Sequence, residues 1–268
     1  VSALSRAARA FPTLLRVGVA AALAYRAEML IWMLTTTMPL VSLALWSAVA
    51  ESGPVGRFGA RDFTAYFLAI LIVRQMTGSW LVWEMNMDIK SGALSQRLLR
   101  PIHPLITYAA DNLAALPLRA MLCLPIAIIA LVATSGERFE PTAFELGLWV
   151  ASLVGAWAIN FFTMALIGSL AFVIESSTAV FDVYLAAFMI FAGYLVPIEL
   201  FPSWLGDVAR VLPFRYSLAF PVELITGLLP PGRALTELGV QWAFAAGTAA
   251  AALVAWRAGV RRFSAFGG

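Results

Sequence analysis

Residues that carry chemistry are scarce in this chain. It has one cysteine, Cys123, and one histidine, His103, among 268 residues. A single thiol forms no disulfide within the chain, and because Cys123 sits in an apolar run the redox compartment stays open. Two such residues are too few for a zinc site built on Cys and His ligands. No GxxxxGK[ST] phosphate loop occurs, which excludes nucleotide binding by that route. No carboxylate falls at the centre of an apolar segment, which speaks against a proton- or sodium-coupled carrier. No polar cluster suggests a membrane-embedded hydrolase. Charge is sparse as well, since Asp, Glu, Lys and Arg together make up 12% of the chain, about half the share in a soluble domain.

What the chain does have is apolar length. Hydrophobic residues make up 62% and the mean hydropathy is +0.87. Lipid accepts that much apolar surface where helices or a closed barrel satisfy the backbone. The runs are continuous rather than alternating, so the fold class is all-α integral membrane. The formal charge of +3 does not point to nucleic acid, because the arginines are spread along the chain rather than stacked into a patch.

The pattern divides one domain, residues 1–268, into an interfacial segment and six spans. Residues 1–26 carry Arg6, Arg9 and Arg16 on one helical face and Leu4, Phe11, Leu14 and Leu15 on the other. That is the layout of an amphipathic helix lying in the membrane interface, and it fits better than a cleaved leader. The expected spans are Met29–Ala50, Phe63–Trp83, Leu113–Ala133, Leu146–Ile174, Thr178–Val196 and Leu238–Trp256. Arg74 lies within the second. Arg119 lies within the third, which Pro117 and Pro125 loosen. Each cation is expected to meet a carboxylate such as Asp111 or Glu84, or backbone carbonyls; a structural pair and a place in a transport path both remain open.

Six spans put both termini on one side. Arg6, Arg9, Arg16, Arg26, Lys90, Arg97, Arg100, Arg257, Arg261 and Arg262 cluster there, close to span ends, which makes the termini and residues 84–104 cytoplasmic. Within that stretch Ile89, Leu94, Leu98 and Leu99 form an apolar stripe rimmed by Asp88, Lys90, Arg97 and Arg100. Gly92 should break the helix and Pro101 end it. The stripe suits docking into a partner's groove, although a merely solvated loop would also fit. His103 reads as structural rather than as a proton switch. On the opposite side, residues 197–227 contain apolar pieces too short to cross lipid, punctuated by Pro197, Pro202, Trp204, Pro213 and Tyr216. They are expected to form a re-entrant helical hairpin rather than a surface loop.

The succession Gly-x-x-x-Pro, Phe-Pro-x-Trp-Leu and Leu-Pro-Phe-x-Tyr over Gly193 to Tyr216 resembles the segment after the fifth span of type 2 ABC exporter permeases. The stretch with Gly92, Leu94, Leu98, Leu99, Arg100 and Pro101 is similar to their cytoplasmic loop. The resemblance implies a permease subunit of a bacterial inner-membrane exporter, paired with a second, identical or homologous permease and two cytoplasmic ABC ATPase subunits. ATP and Mg would bind to those ATPases, and no cofactor to this chain. It also implies a coupling helix within 84–104 and a pathway between spans two and five, where Phe67, Arg74, Gln75, Ser79, Trp80, Phe181, Tyr184, Phe188 and Phe191 stand. The aromatic residues suit a drug-like, dye-like or lipid-like compound. A carrier or channel that works without an ATPase is the alternative.

Overall fold

The structure, a computed structural model, describes residues 3–24, 38–121, 124, 125, 128, 142–174, 176–230 and 232–263. Every regular element among them is helical. The helices are α1 (Ala3–Ala24), α2 (Met38–Ala50), α3 (Ala60–Thr77), α4 (Leu81–Lys90), α5 (Leu94–Leu98), α6 (Pro104–Ala114), α7 (Ala143–Gly168), α8 (Ser177–Phe191), α9 (Ser203–Val211), α10 (Pro213–Ser217), α11 (Ala219–Ile225) and α12 (Ala234–Val260). Single 3-10 turns lie at Ser169–Phe172 and Ile198–Leu200.

Among the described residues, three helical stretches are long and apolar enough to cross a membrane: Ala60–Lys90, Ala143–Phe172 and Ala234–Val260. Met38–Ala50 and Ser177–Phe191 are shorter apolar helices. The later part of the third expected span, Leu113–Ala133, falls outside the described residues apart from 124, 125 and 128, as does the beginning of the first. The amphipathic N-terminal segment is helical over Ala3–Ala24 and packs on α6. Arg9 and Arg16 are exposed, while Phe11, Leu14 and Leu15 are half-buried.

Local chemistry accounts for the helix starts. Thr142 and Glu145 open α7 with a reciprocal capping box, in which Glu145 N–H donates to Thr142 Oγ1 at 3.3 Å and Thr142 N–H donates to the Glu145 carboxylate at 2.8 Å. The Ser176 hydroxyl accepts from Ala179 N–H at the start of α8. His103 caps α6, its Nδ1 accepting from Leu105 N–H at 3.2 Å ahead of Pro104 at the first helical position. Partial burial, and then the charge of Arg257, hold the imidazole below its ordinary value of 6.5. Only the neutral ring can accept this bond. The contribution is therefore complete above about pH 6.5 and fades as pH falls through the lower folded value. At pH 7.5 His103→Ala should lower stability by about 0.5–2 kcal/mol, the usual worth of a cap. Thermal melting of the two proteins in detergent should converge as the buffer is acidified.

Two expectations about span length need correction. The second span does not end at Trp83. It breaks after Thr77, resumes at Leu81 and continues to Lys90. Glu84 to Lys90 are thus helical, and the true loop is 91–103. The helix ends just before Gly92, where the sequence pattern expected it to break. The fifth span is shorter than Thr178–Val196, because α8 stops at Phe191. Its stop is Gly193, which has φ +75° and lies against Tyr66, whose hydroxyl donates to the Gly193 carbonyl at 2.9 Å. A Cβ there would stand 2.5 Å from Tyr66 Oη. Gly193→Ala should therefore cost about 2–4 kcal/mol, combining left-handed backbone strain with overpacking. A depressed melting temperature in detergent is the readout.

α7 is the central element, with α12 running along it and α3, α4, α8, α10 and α11 also packed on it. The apolar core lies at two levels. Near the 91–103 loop, Leu81, Met85, Leu94, Tyr108, Phe161 and Trp256 pack together. At the far end of α3, the core is Phe63, Tyr66, Phe67, Ile70, Phe188 and Leu218. The segment between α8 and α12 folds into three short helices, α9 to α11, of 9, 5 and 7 residues, each far below the roughly 20 needed to span a bilayer.

Candidate functional site

The loop between α4 and α6 turns at Gly92, with φ +77°, into the single turn of α5. Arg97 anchors it. Its Nε stands 2.8 Å from Asp88 Oδ2 and its Nη1 3.5 Å from Asp111 Oδ2. The guanidinium lies over the Tyr108 ring, whose hydroxyl donates to Asp88. One side chain thus ties α5 to both flanking helices.

The apolar stripe expected along this stretch divides in two. Ile89 (6% exposed) and Leu94 (0%) turn into the core, and Leu98 packs partly against it, whereas Leu99 is 86% exposed. Arg100 and Pro101, next along the chain, are exposed as well, as is Lys90 at the end of α4. The surface open to a partner is narrower than the spacing suggested, because Ile89 and Leu94 fill space between α4, α6 and α7.

The aromatic residues of the second and fifth spans do meet. Phe67 and Phe188 share one buried cluster, and Tyr184 bridges it to Phe181. Ring contacts run from Trp80 through Trp83 to Phe181 and on through Tyr184 to Phe188, with centroids 4.4–6.2 Å apart. Phe191 stacks on Phe214 of α10. Arg74 lies over Phe188, 5.1 Å from the ring centre. Gln75 and Ser79 are buried on the same span.

Arg119 takes the carbonyl option. Its Nη1 donates to the Gly78 carbonyl at 3.0 Å, in the break between α3 and α4, where Asn112 Nδ2 also donates at 3.4 Å. Asn112 is held in turn by Trp157, whose Nε1 donates to its Oδ1 at 2.8 Å. A carbonyl freed from the helix ladder inside an apolar bundle needs such partners.

The short helices α10 and α11 are fastened by a network that the sequence pattern did not reveal. Arg215 is buried and forks onto Glu223, with Nε–Oε1 at 3.1 Å and Nη2–Oε2 at 2.6 Å. Its Nη1 donates to Glu237 at 2.7 Å, and the Tyr216 hydroxyl donates to the same oxygen. Gln241 Nε2 donates to the Tyr216 and Ser152 carbonyls, and Asn160 Nδ2 to the Ser217 carbonyl. These bonds join α10 and α11 to α7 and α12. Of the expected hairpin residues, Pro197 and Tyr216 are buried, Pro213 is half-buried, and Pro202 and Trp204 are exposed.

Long apolar helices, a span interrupted where side chains capture its backbone, and short helices clamped by buried charges define a polytopic helical membrane protein. The family model described as ABC-2 family transporter protein matches residues 28–267, and the chain belongs to that family. No curated protein and no solved structure matches it. The family bears out the resemblance seen in the Gly193–Tyr216 succession and makes the chain a membrane protein of ABC transporters.

Proposed function

We propose that this chain is the permease subunit of an ATP-driven exporter. It would sit in a bacterial inner membrane with both termini cytoplasmic, paired with a second permease and two cytoplasmic ABC ATPase subunits that bind ATP and Mg. The family match over residues 28–267 carries this reading. The exposed Leu99, at the tip of a loop whose root Arg97 fixes to α4 and α6, supports it. Such a tip offers one apolar anchor with a basic neighbour, Arg100, to a groove on an ATPase. Closure of the ATPases on ATP would move the tip, and Arg97 would hand that movement to α4 and α6. The aromatic face between the second and fifth spans, with Arg74 over Phe188, would pass a hydrophobic or amphipathic compound as the bundle opens. The 197–227 hairpin would dip into the outer face of the membrane.

The test is purification of the intact assembly followed by transport in inverted vesicles. Co-purification of an ATPase and ATP-dependent uptake of a lipophilic dye are expected. Equal dye movement by the chain alone in liposomes without ATP would reject the reading in favour of an ATPase-independent carrier.

A further inference from the structure

Beside the hairpin lies a cavity of about 470 Å³, within the ~300–1,000 Å³ typical of small-ligand sites. The transport reading does not use it. Its inner wall is the Arg215 network, in which both carboxylates of Glu223 and Glu237 are already taken by guanidinium and phenol donors. Glu199 also lines the cavity and gives one oxygen to Arg57, so a cation entering there meets carboxylates already engaged by arginines.

The rim has the opposite character. Arg57, Arg210 and Arg233 reach it with 53%, 50% and 64% of their side chains exposed. Among the described residues each hydrogen-bonds through one terminal nitrogen: Arg57 Nη2 to Glu199 and the Leu228 carbonyl, Arg210 Nη1 to Asp207, and Arg233 Nη2 to Glu237. A guanidinium has five N–H donors, so most of each fork remains on offer. The charges lining the cavity are four arginines against three glutamates. α12 begins at the same rim with no side-chain cap on its first N–H groups, which adds the positive end of a helix dipole. Val211, Leu228 and Leu229 make part of the remaining wall apolar.

Planar forks with surplus donors match the oxygens of a phosphate group. We infer that this cavity binds the phosphate of an anionic amphiphile, gripped by Arg57, Arg210 and Arg233 while the apolar wall seats its adjoining carbon chain. A lipid headgroup and a soluble phosphate ester share that chemistry. The inference does not rest on the transport reading and is tested by binding alone.

The full chain is purified in detergent, exposed to phosphatidylglycerol or phosphatidylcholine, and its bound lipid counted by native mass spectrometry. In parallel, inorganic pyrophosphate is titrated calorimetrically into the chain held in phosphatidylcholine nanodiscs. Phosphatidylglycerol should be retained about tenfold over phosphatidylcholine, and R57Q, R210Q and R233Q should each lower that retention severalfold to tenfold. Asp207→Asn removes the carboxylate partner of Arg210 and should raise retention about threefold, a gain that misfolding cannot imitate. Pyrophosphate binding that the same glutamine variants abolish, without a lipid preference, upholds the site and assigns it to a soluble ester. If neither probe binds, or if all three glutamine variants and Asp207→Asn bind like the parent, the inference fails.

Discussion

Arg215→Met is expected to destabilise the chain by about 3–5 kcal/mol, enough to leave little monodisperse protein on size exclusion. Glu223 and Glu237 are 7% and 6% exposed at the side chain. Removing the guanidinium strands two largely buried carboxylates, and breaking a buried pair from one side costs that much. Among the described residues, Glu237 would keep Arg233, at 2.6 Å and mostly exposed, and the Tyr216 hydroxyl, while Glu223 would lose its guanidinium. Arg215→Lys should fall between, since an ammonium cannot bridge both Glu223 oxygens while also reaching Glu237. The triple replacement Arg215→Met, Glu223→Leu, Glu237→Leu should regain much of the loss, because apolar residues of similar volume often match a buried triad in stability. A triple variant as unstable as Arg215→Met would show that something other than stranded charge is at work.

Leu99→Asp should reduce ATP-driven transport at least tenfold while leaving folding intact. Leu99 is 86% exposed and makes almost no contact inside the chain, so a carboxylate there meets water in the isolated subunit. In a complex it would be driven into a partner's apolar groove, and burying one unpaired charge is worth several kcal/mol against assembly. Leu94→Asp makes the contrast. Leu94 is fully buried beside Ile89, Leu105 and Tyr108, and its replacement should abolish folding rather than coupling. Normal transport together with normal ATPase retention in Leu99→Asp would count heavily against this loop as the docking point.

Much of this architecture was legible in the residues. The apolar runs over 146–174 and 238–256 became α7 and α12, and the amphipathic pattern of residues 1–26 became α1, because periodicity reports the solvent a helix face meets. The Gly193 to Tyr216 succession marked the breaks between short helices, with Gly193 ending α8 at a positive φ and Pro213 opening α10. The end of the second span was not legible. Glu84, Asp88 and Lys90 are charged, yet a helix leaving the bilayer can keep its own ladder and turn Asp88 toward Arg97. The Arg215 network was hidden for a different reason. Arg215, Glu223 and Glu237 are 8 and 22 positions apart along the chain, and composition cannot distinguish charges that pair in the interior from charges that dilute a loop. Two glutamates near apolar segments, with an arginine inside a Pro-Phe-Arg-Tyr turn, were the available signal. The break at Gly78 was flagged only by Thr77, Gly78 and Ser79 standing together within an apolar run.

That break has a mechanical meaning. An unbroken helix carries a push along its axis, whereas two rods meeting at a hinge turn it into rotation. α4 is ten residues long, a lever arm of about 15 Å, with the 91–103 loop at one end and Gly78 at the other. In the proposed transport cycle, Arg119 and Asn112, holding the Gly78 carbonyl from the next segment of the chain, would act as the bearing that keeps the pivot in place while the arm swings.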